Sequence, residues 1–93
     1  MSEPQPFVLE ITTKIPEQMH KDADFKTLYG IVIMERMTSK EQTVAYFDGQ
    51  IAAIEEWLRG NQAAGGSLVL QIRNKIVKME TYKTCRKMCL TYL

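Results

Sequence analysis

The central part of the chain, from Ser39 to Gly60, carries apolar residues at the spacing of one helical face. These residues are alternately three and four apart: Val44, Phe47, Ile51, Ile54 and Leu58. Because a helix turns about 100° per residue, they form one stripe along its side. Thr38 or Ser39 is suited to cap the first turn, and Gly60 to take a left-handed conformation after the last. Residues 39–60 are therefore predicted to form an amphipathic helix.

The N-terminal third has a different pattern, which favours two strands. Apolar and polar side chains alternate from Phe7 to Ile15, and Pro16 ends the run while also suiting the start of a short helix. The segment Leu28 to Met37 is rich in β-branched and aromatic residues, which favour strands. We expect these two segments to pair antiparallel. The alternative for the second segment is a helix capped by Asp22 or Asp24, whose apolar face is Phe25, Leu28, Tyr29 and Val32.

A second long helix is predicted from Leu68 to Tyr92. Most of its apolar residues are three or four apart: Val69, Ile72, Ile76, Met79, Tyr82, Cys89 and Leu93. An alternative makes residues 67–73 a third strand and begins the helix near Asn74. The glycine-containing stretch at 61–67 predicts a short loop, so the two long helices should pack as an antiparallel hairpin.

Together these elements predict an α+β fold, with a two-stranded antiparallel sheet packed on a helical hairpin. The alternative is an all-α bundle of three helices with an extended N-terminal arm. Residues 1–6 contain two prolines and are predicted to be a flexible tail, which leaves residues 7–93 as a single small domain.

Composition and charge indicate which partners and which cellular location to expect. The 93 residues have a formal net charge of +1, so overall charge indicates neither a nucleic-acid nor a membrane partner. No apolar run approaches the length of a membrane-spanning helix, and the N-terminal segment lacks the features of a secretion signal. The two cysteines then favour a reducing, intracellular location, and we expect a cytoplasmic protein.

Residues with catalytic or metal-binding chemistry are few. His20, Asp22 and Asp24 are close in sequence, but such a group is common in a solvated loop. Cys85 and Cys89 are four apart, which is not the spacing of a redox pair, and we expect both thiols to be buried and free. The sequence therefore predicts no catalytic residue, no metal site and no cofactor, and a protein that is not an enzyme.

A partner-binding surface is predicted on the central helix. Beside its apolar stripe lie Tyr46, Gln50, Ala53 and Trp57, which widen the apolar arc beyond what a small core needs. Either the helix packs on two sides and both aromatic residues are ordinary core, or they face a partner, since tyrosine and tryptophan are enriched at binding hot spots. We expect a non-enzymatic adaptor or inhibitor that binds a larger protein or forms a homodimer. A phage or mobile-element protein that modulates a host enzyme would suit a chain of this size.

The basic C-terminal segment supports an alternative function, which is nucleic-acid binding or regulation. Its candidate phosphate-binding residues are Arg73, Lys78, Lys83, Arg86 and Lys87. They do not gather on one face of the predicted helix. Pairing with the acidic edge of the central helix, Glu41, Asp48 and Glu55, offers a structural explanation for these charges.

Overall fold

The computed structural model describes residues 6–61 and 68–93, and these residues are almost entirely helical. Four α-helices follow one another: α1 (Pro6–Lys14), α2 (Ala23–Met34), α3 (Lys40–Gly60) and α4 (Val69–Tyr92). A 3-10 turn, Glu17–Lys21, joins α1 to α2. The described ranges contain no strand. Residues 1–5 of the predicted tail, and most of the predicted 61–67 loop, lie outside the described residues.

The predicted central helix is confirmed as α3, together with its cap. The Ser39 hydroxyl accepts a hydrogen bond from the Gln42 backbone N–H at 3.1 Å. The Gln42 side-chain oxygen in turn accepts from the Thr38 N–H at 2.8 Å. Reciprocal bonds of this kind satisfy donors that the first turn leaves open. The prediction for Gly60 was wrong, because this residue is helical and Asn61 ends the helix with φ −119°.

The two long helices form the predicted antiparallel hairpin. Phe47 of α3 packs on Tyr82 of α4, with ring centroids 5.7 Å apart. Ten residues further along α3, Trp57 lies beside Lys75, which is seven residues before Tyr82 on α4. Contacts that advance along α3 while receding along α4 require opposite helix directions.

The predicted first strand, Phe7 to Ile15, is wrong, because residues 6–14 form α1. Phe7, Ile11 and Ile15 are buried and four residues apart, which is helical spacing. Leu9, which strand alternation would place with them, is 51% exposed. The same apolar residues fit both periods in so short a segment, and packing against the other helices selects the helix.

The predicted second strand, Leu28 to Met37, is also wrong, because most of it belongs to α2. The helical alternative had the correct face, since Phe25, Leu28 and Val32 are buried. The β-branched residues of this stretch have only a weak intrinsic preference for strands, and burial along a helical stripe outweighs it. Because both predicted strands are helices, the α+β fold class is wrong. The alternative, an all-α three-helix bundle with an extended N-terminal arm, has the helical class but is wrong about the arm, since that segment forms α1.

The end of α2 is a Schellman motif built without glycine. Arg36 has φ 53°, in the left-handed region. The Met37 N–H donates to the Val32 carbonyl at 2.9 Å, and the Arg36 N–H donates to Ile33 at 3.3 Å. These two bonds, with Met37 buried against the core, define the motif. It turns the chain sharply into α3, and an arginine at its left-handed position gives no sequence signal.

The core is concentrated at one end of the hairpin. Buried residues of α1 and α2 pack against buried residues of the first two-thirds of α3 and of the second half of α4. On α4 these are Tyr82, Cys85, Met88 and Cys89, and no residue between 68 and 81 is buried. The outer half of the hairpin, residues 55–61 and 68–81, thus extends beyond the core in a molecule 51 Å long.

Phe47 should be the most costly core residue to truncate. Its side chain has no exposed surface and contacts rings on both sides. We expect Phe47→Ala to lower the free energy of unfolding by about 3–5 kcal/mol, because the cavity adds to the lost burial. Urea denaturation followed by circular dichroism measures this. The control Met34→Ala, at a side chain 75% exposed, should change stability by less than about 0.5 kcal/mol.

Candidate binding groove beside Trp57

The predicted partner-binding residues of α3 lie along one flank of the helix, as their spacing requires. Tyr46, Gln50 and Trp57 are half-buried, and Ala53 is exposed. They extend over about 16 Å, given a rise of 1.5 Å per residue. The two aromatic residues at the ends of this row have different surroundings, and this difference determines where a partner has access.

Tyr46 belongs to the margin of the core. Its ring meets the ring of Phe47 edge-on, at 5.6 Å between centroids and 78° between planes. Burial raises the pKa of the Tyr46 hydroxyl, and nearby Tyr82 and Glu35 raise it further. Because part of the Tyr46 ring is packed against the core, Tyr46 has less apolar surface left to offer a partner.

Trp57 lies in an open groove between the outer parts of α3 and α4. Four residues of α4 complete the lining: Gln71, Asn74, Lys75 and Lys78. The groove has a volume of about 360 Å³, similar to a small ligand site. The Lys75 ammonium lies over the indole, 5.3 Å from the ring centroid. This distance is within the range of a cation–π interaction.

Local contacts hold the groove residues in position. The Asn61 side-chain amide donates to the Trp57 carbonyl at 2.7 Å, which satisfies a carbonyl of the last turn of α3. The Lys78 ammonium lies 5.8 Å from the centroid of Tyr82, a buried core residue. One lysine is thus oriented by the groove's own tryptophan and the other by the core.

Two exposed apolar residues of α4 lie next to the groove on the helix surface, and neither is among the predicted site residues. Leu70 is 67% exposed and Val77 is 59% exposed. They are four residues before and three residues after Asn74, so the three side chains share a face. The sequence signal was present, because both residues fall outside the apolar stripe predicted for the core.

The predicted phosphate-binding residues do not form one surface. Arg73 and Lys78 are five residues apart, so they point about 140° away from each other around α4. Arg86 is paired with Asp48 of α3, and Lys83 lies 3.9 Å from Glu80 of its own helix. Only Lys78 of this set lines the Trp57 groove. The Arg86–Asp48 pair agrees with the structural explanation by charge pairing between the helices.

His20 is a packing residue. Its ring stacks on Phe25 with centroids 4.2 Å apart, and Nε2 lies 3.0 Å from the Ile15 carbonyl oxygen. The expectation of a solvated loop around it was wrong, because this segment forms the 3-10 turn and the start of α2. Within residues 6–61 and 68–93, no three His, Cys, Asp or Glu side chains come together as a metal site.

The two thiols are buried and free, as predicted. Cys85 donates to the Asp24 carbonyl at 3.3 Å, which ties α4 to α2. Burial, followed by the nearby Asp24 and Cys89, raises the pKa of the Cys85 thiol to about 12. Burial also raises the pKa of Cys89 to about 11. Because the thiolate is the reactive form, both groups are held in their inert state at neutral pH.

Comparison of this chain with protein-family models, with curated proteins and with solved structures finds no match. Across the described parts of the chain, none of the helices is long and apolar enough to cross a membrane.

The raised thiol pKa values predict a loss of stability at alkaline pH. Unfolded thiols ionise near pH 9 and the folded ones nearer pH 11 and 12. The unfolded state thus releases protons first, and stability present below pH 9 declines as pH rises toward 12. Urea midpoints at pH 7, 9 and 10 measure the decline. In the Cys85→Ala/Cys89→Ala variant, the urea midpoint should fall by a smaller fraction between pH 7 and pH 10. An equal fractional fall in the variant and in the native protein would contradict a contribution from the thiols.

Proposed function

We propose that this protein is a non-catalytic binding module that engages another protein through the Trp57 groove. The partner segment is acidic and carries apolar side chains. One observation supports this most directly: a half-exposed tryptophan shares a groove with two lysines, and the described lining of that groove contains no carboxylate. Such a module serves as an adaptor or as an inhibitor.

The chemistry of the groove matches a protein ligand in two respects. The indole offers a large rigid apolar surface, which is the commonest kind of anchor at protein interfaces. Lys75 and Lys78 supply ammonium donors for carboxylates, while Gln71 and Asn74 supply amides for a peptide backbone. A partner that displaces water from the indole also strengthens the charge interactions at its rim.

A protein partner explains the surroundings of the groove better than a nucleic acid does. Leu70 and Val77 are exposed beside it, and protein interfaces are apolar at their centre. Nucleic-acid interfaces are more polar and more positively charged. Arg86 is already paired with Asp48, and the other three cations of α4 outside the groove lie about 140° or more around the helix from Lys78, so none extends a phosphate-binding track from the groove.

Truncation of Trp57 should remove partner binding without unfolding the protein. We expect Trp57→Ala to weaken binding by about 2 kcal/mol, roughly 30-fold, because the anchor is lost. Affinity capture from cells that produce the protein, followed by mass spectrometry, identifies candidate partners. Titration with a purified candidate then gives the affinity. Leu9→Ala, at an exposed apolar residue of α1 outside the groove, is the matched control.

Reversing the charge of the two groove lysines should also weaken partner binding, because the proposed partner segment is acidic. Lys75→Glu/Lys78→Glu should weaken binding at least tenfold, and added salt should weaken binding to the native protein. Lys21→Glu/Lys26→Glu changes the net charge equally at exposed positions outside the groove and should leave binding unchanged. Equal losses in both pairs, or nuclease-sensitive binding to RNA or DNA at low salt, would contradict the proposal.

A further inference from the structure

The face of the hairpin that turns away from α2 carries a regular seam along α4. Its residues are alternately three and four apart: Val69, Ile72, Ile76, Met79, Lys83, Arg86 and Leu90. Within this seam, Val69 is 58% exposed, Ile76 42% and Leu90 47%. A seam of this spacing is typical of a helix that packs between two neighbouring helices. Within the described chain, α3 is one such neighbour, and no element covers the other side.

The position of this face follows from the contacts of Cys85. Its sulfur donates to Asp24 of α2, so this side of α4 points toward α2. Lys83 lies two residues earlier, about 200° around the helix, and therefore on the opposite side. Ile76 is seven residues before Lys83 and lies on the same side. The seam is thus separate from the Trp57 groove, whose α4 residues are Gln71, Asn74, Lys75 and Lys78.

Two shallow depressions mark this face where α3 and α4 meet. One, of about 290 Å³, is lined by Asp48, Ile51, Lys83 and Arg86. The other, of about 280 Å³, lies between the start of α3 and Leu90. Depressions between two helices accept the side chains of a third and fourth helix as knobs.

The charges of this face are arranged so that it complements itself. Its α3 margin carries Glu41, Asp48 and Glu55, spaced seven residues apart. Its α4 margin carries Lys83, Arg86 and Lys87, with Glu80 as the opposing acid. Between these two margins, one ion pair forms within the described chain, Asp48–Arg86. The other carboxylates of the α3 margin, Glu41 and Glu55, form no ion pair with any described residue.

We propose that a second copy of this chain covers this face, so that two hairpins form a four-helix bundle. A two-fold axis parallel to the hairpins places α3 of one copy over α4 of the other. Each acidic margin then faces a basic margin, and every pair of neighbouring helices is antiparallel. A two-fold axis perpendicular to the helices would instead place α3 on α3, with the acidic margins opposed. A two-fold interface requires a self-complementary surface, and this face is one.

The size of the face suits a dimer. A helix of 24 residues is about 36 Å long, and two helices side by side are about 20 Å wide, which gives a face of about 700 Å². Stable complexes bury about 800 Å² on each partner. The proposed interface is therefore near the lower end of the usual size, and we expect a dimer that dissociates at micromolar concentration.

Sedimentation equilibrium of the full chain tests the proposal. From 5 to 500 µM, we expect the mass to rise from 10.7 kDa toward twice that value. Ile76→Asp should raise the dissociation constant at least 100-fold, because it places a charge at the centre of the interface. Leu70→Asp is the control, since this exposed apolar residue lies about 120° away around α4. Circular dichroism verifies that each variant remains folded.

A charge exchange tests the arrangement independently of the apolar seam. Glu41→Lys/Glu55→Lys and Lys83→Glu/Lys87→Glu change only side chains exposed on the surface. Each double variant alone should dimerise at least tenfold more weakly, and an equimolar mixture of the two should form a heterodimer of near-native affinity.

Three outcomes would overturn the proposal: a monomer at 500 µM, a dimer unaffected by Ile76→Asp, or no recovery on mixing the charge variants. None of them bears on partner binding at Trp57, which the Trp57→Ala comparison tests separately.

Discussion

The fold depends on the packing of Phe47 against Tyr82, where the two long helices meet inside the core. Most helical stability in proteins comes from burying an apolar face, and this contact lies where the two long helices bury theirs. The contact fixes the register of the hairpin, and α1, the 3-10 turn and α2 then close over it. The hydrogen bond from Cys85 to Asp24 and the stacking of His20 on Phe25 hold this cover in place.

Helices α1 and α2, with the 3-10 turn between them, are short relative to the hairpin they pack against. The parts of the hairpin that they leave uncovered form both proposed interaction surfaces. With 9 and 12 residues, α1 and α2 protect one side of one end of a hairpin whose helices have 21 and 24 residues. The outer part of the same side holds the Trp57 groove. The entire opposite side holds the apolar and charged seam. A small chain has little interior, and here the unburied apolar residues occupy two distinct regions.

The sequence was informative where a pattern was long and uninformative where it was short. Over 21 residues, the stripe from Val44 to Leu58 fits a helix alone, so α3 and its Ser39 cap could be predicted. Over nine residues, Phe7 and Ile11 fit both a strand and a helix, and only packing against the rest of the chain distinguishes the two. The Schellman turn at Arg36 had no signal, because this position usually holds glycine.

The candidate site was partly predictable for the same reason. Helical spacing placed Tyr46 and Trp57 on one flank of α3, but it could not tell which ring the other helices would enclose. Which ring is enclosed depends on where α2 ends, and the residue pattern of that segment favours a strand. The lysines of the groove come from α4, so their meeting with Trp57 depends on the register of the hairpin.

The uneven distribution of buried residues along α4 has a consequence for motion. Its second half is anchored by Tyr82, Cys85, Met88 and Cys89, whereas residues 69–79 include no buried side chain. Hydrogen bonds in the first part should therefore open locally at much lower free energy than those in the last part. Its amide hydrogens should exchange with solvent sooner, although both parts belong to one continuous helix. Any molecule that binds there restricts this opening and loses part of its interaction energy to the ordering.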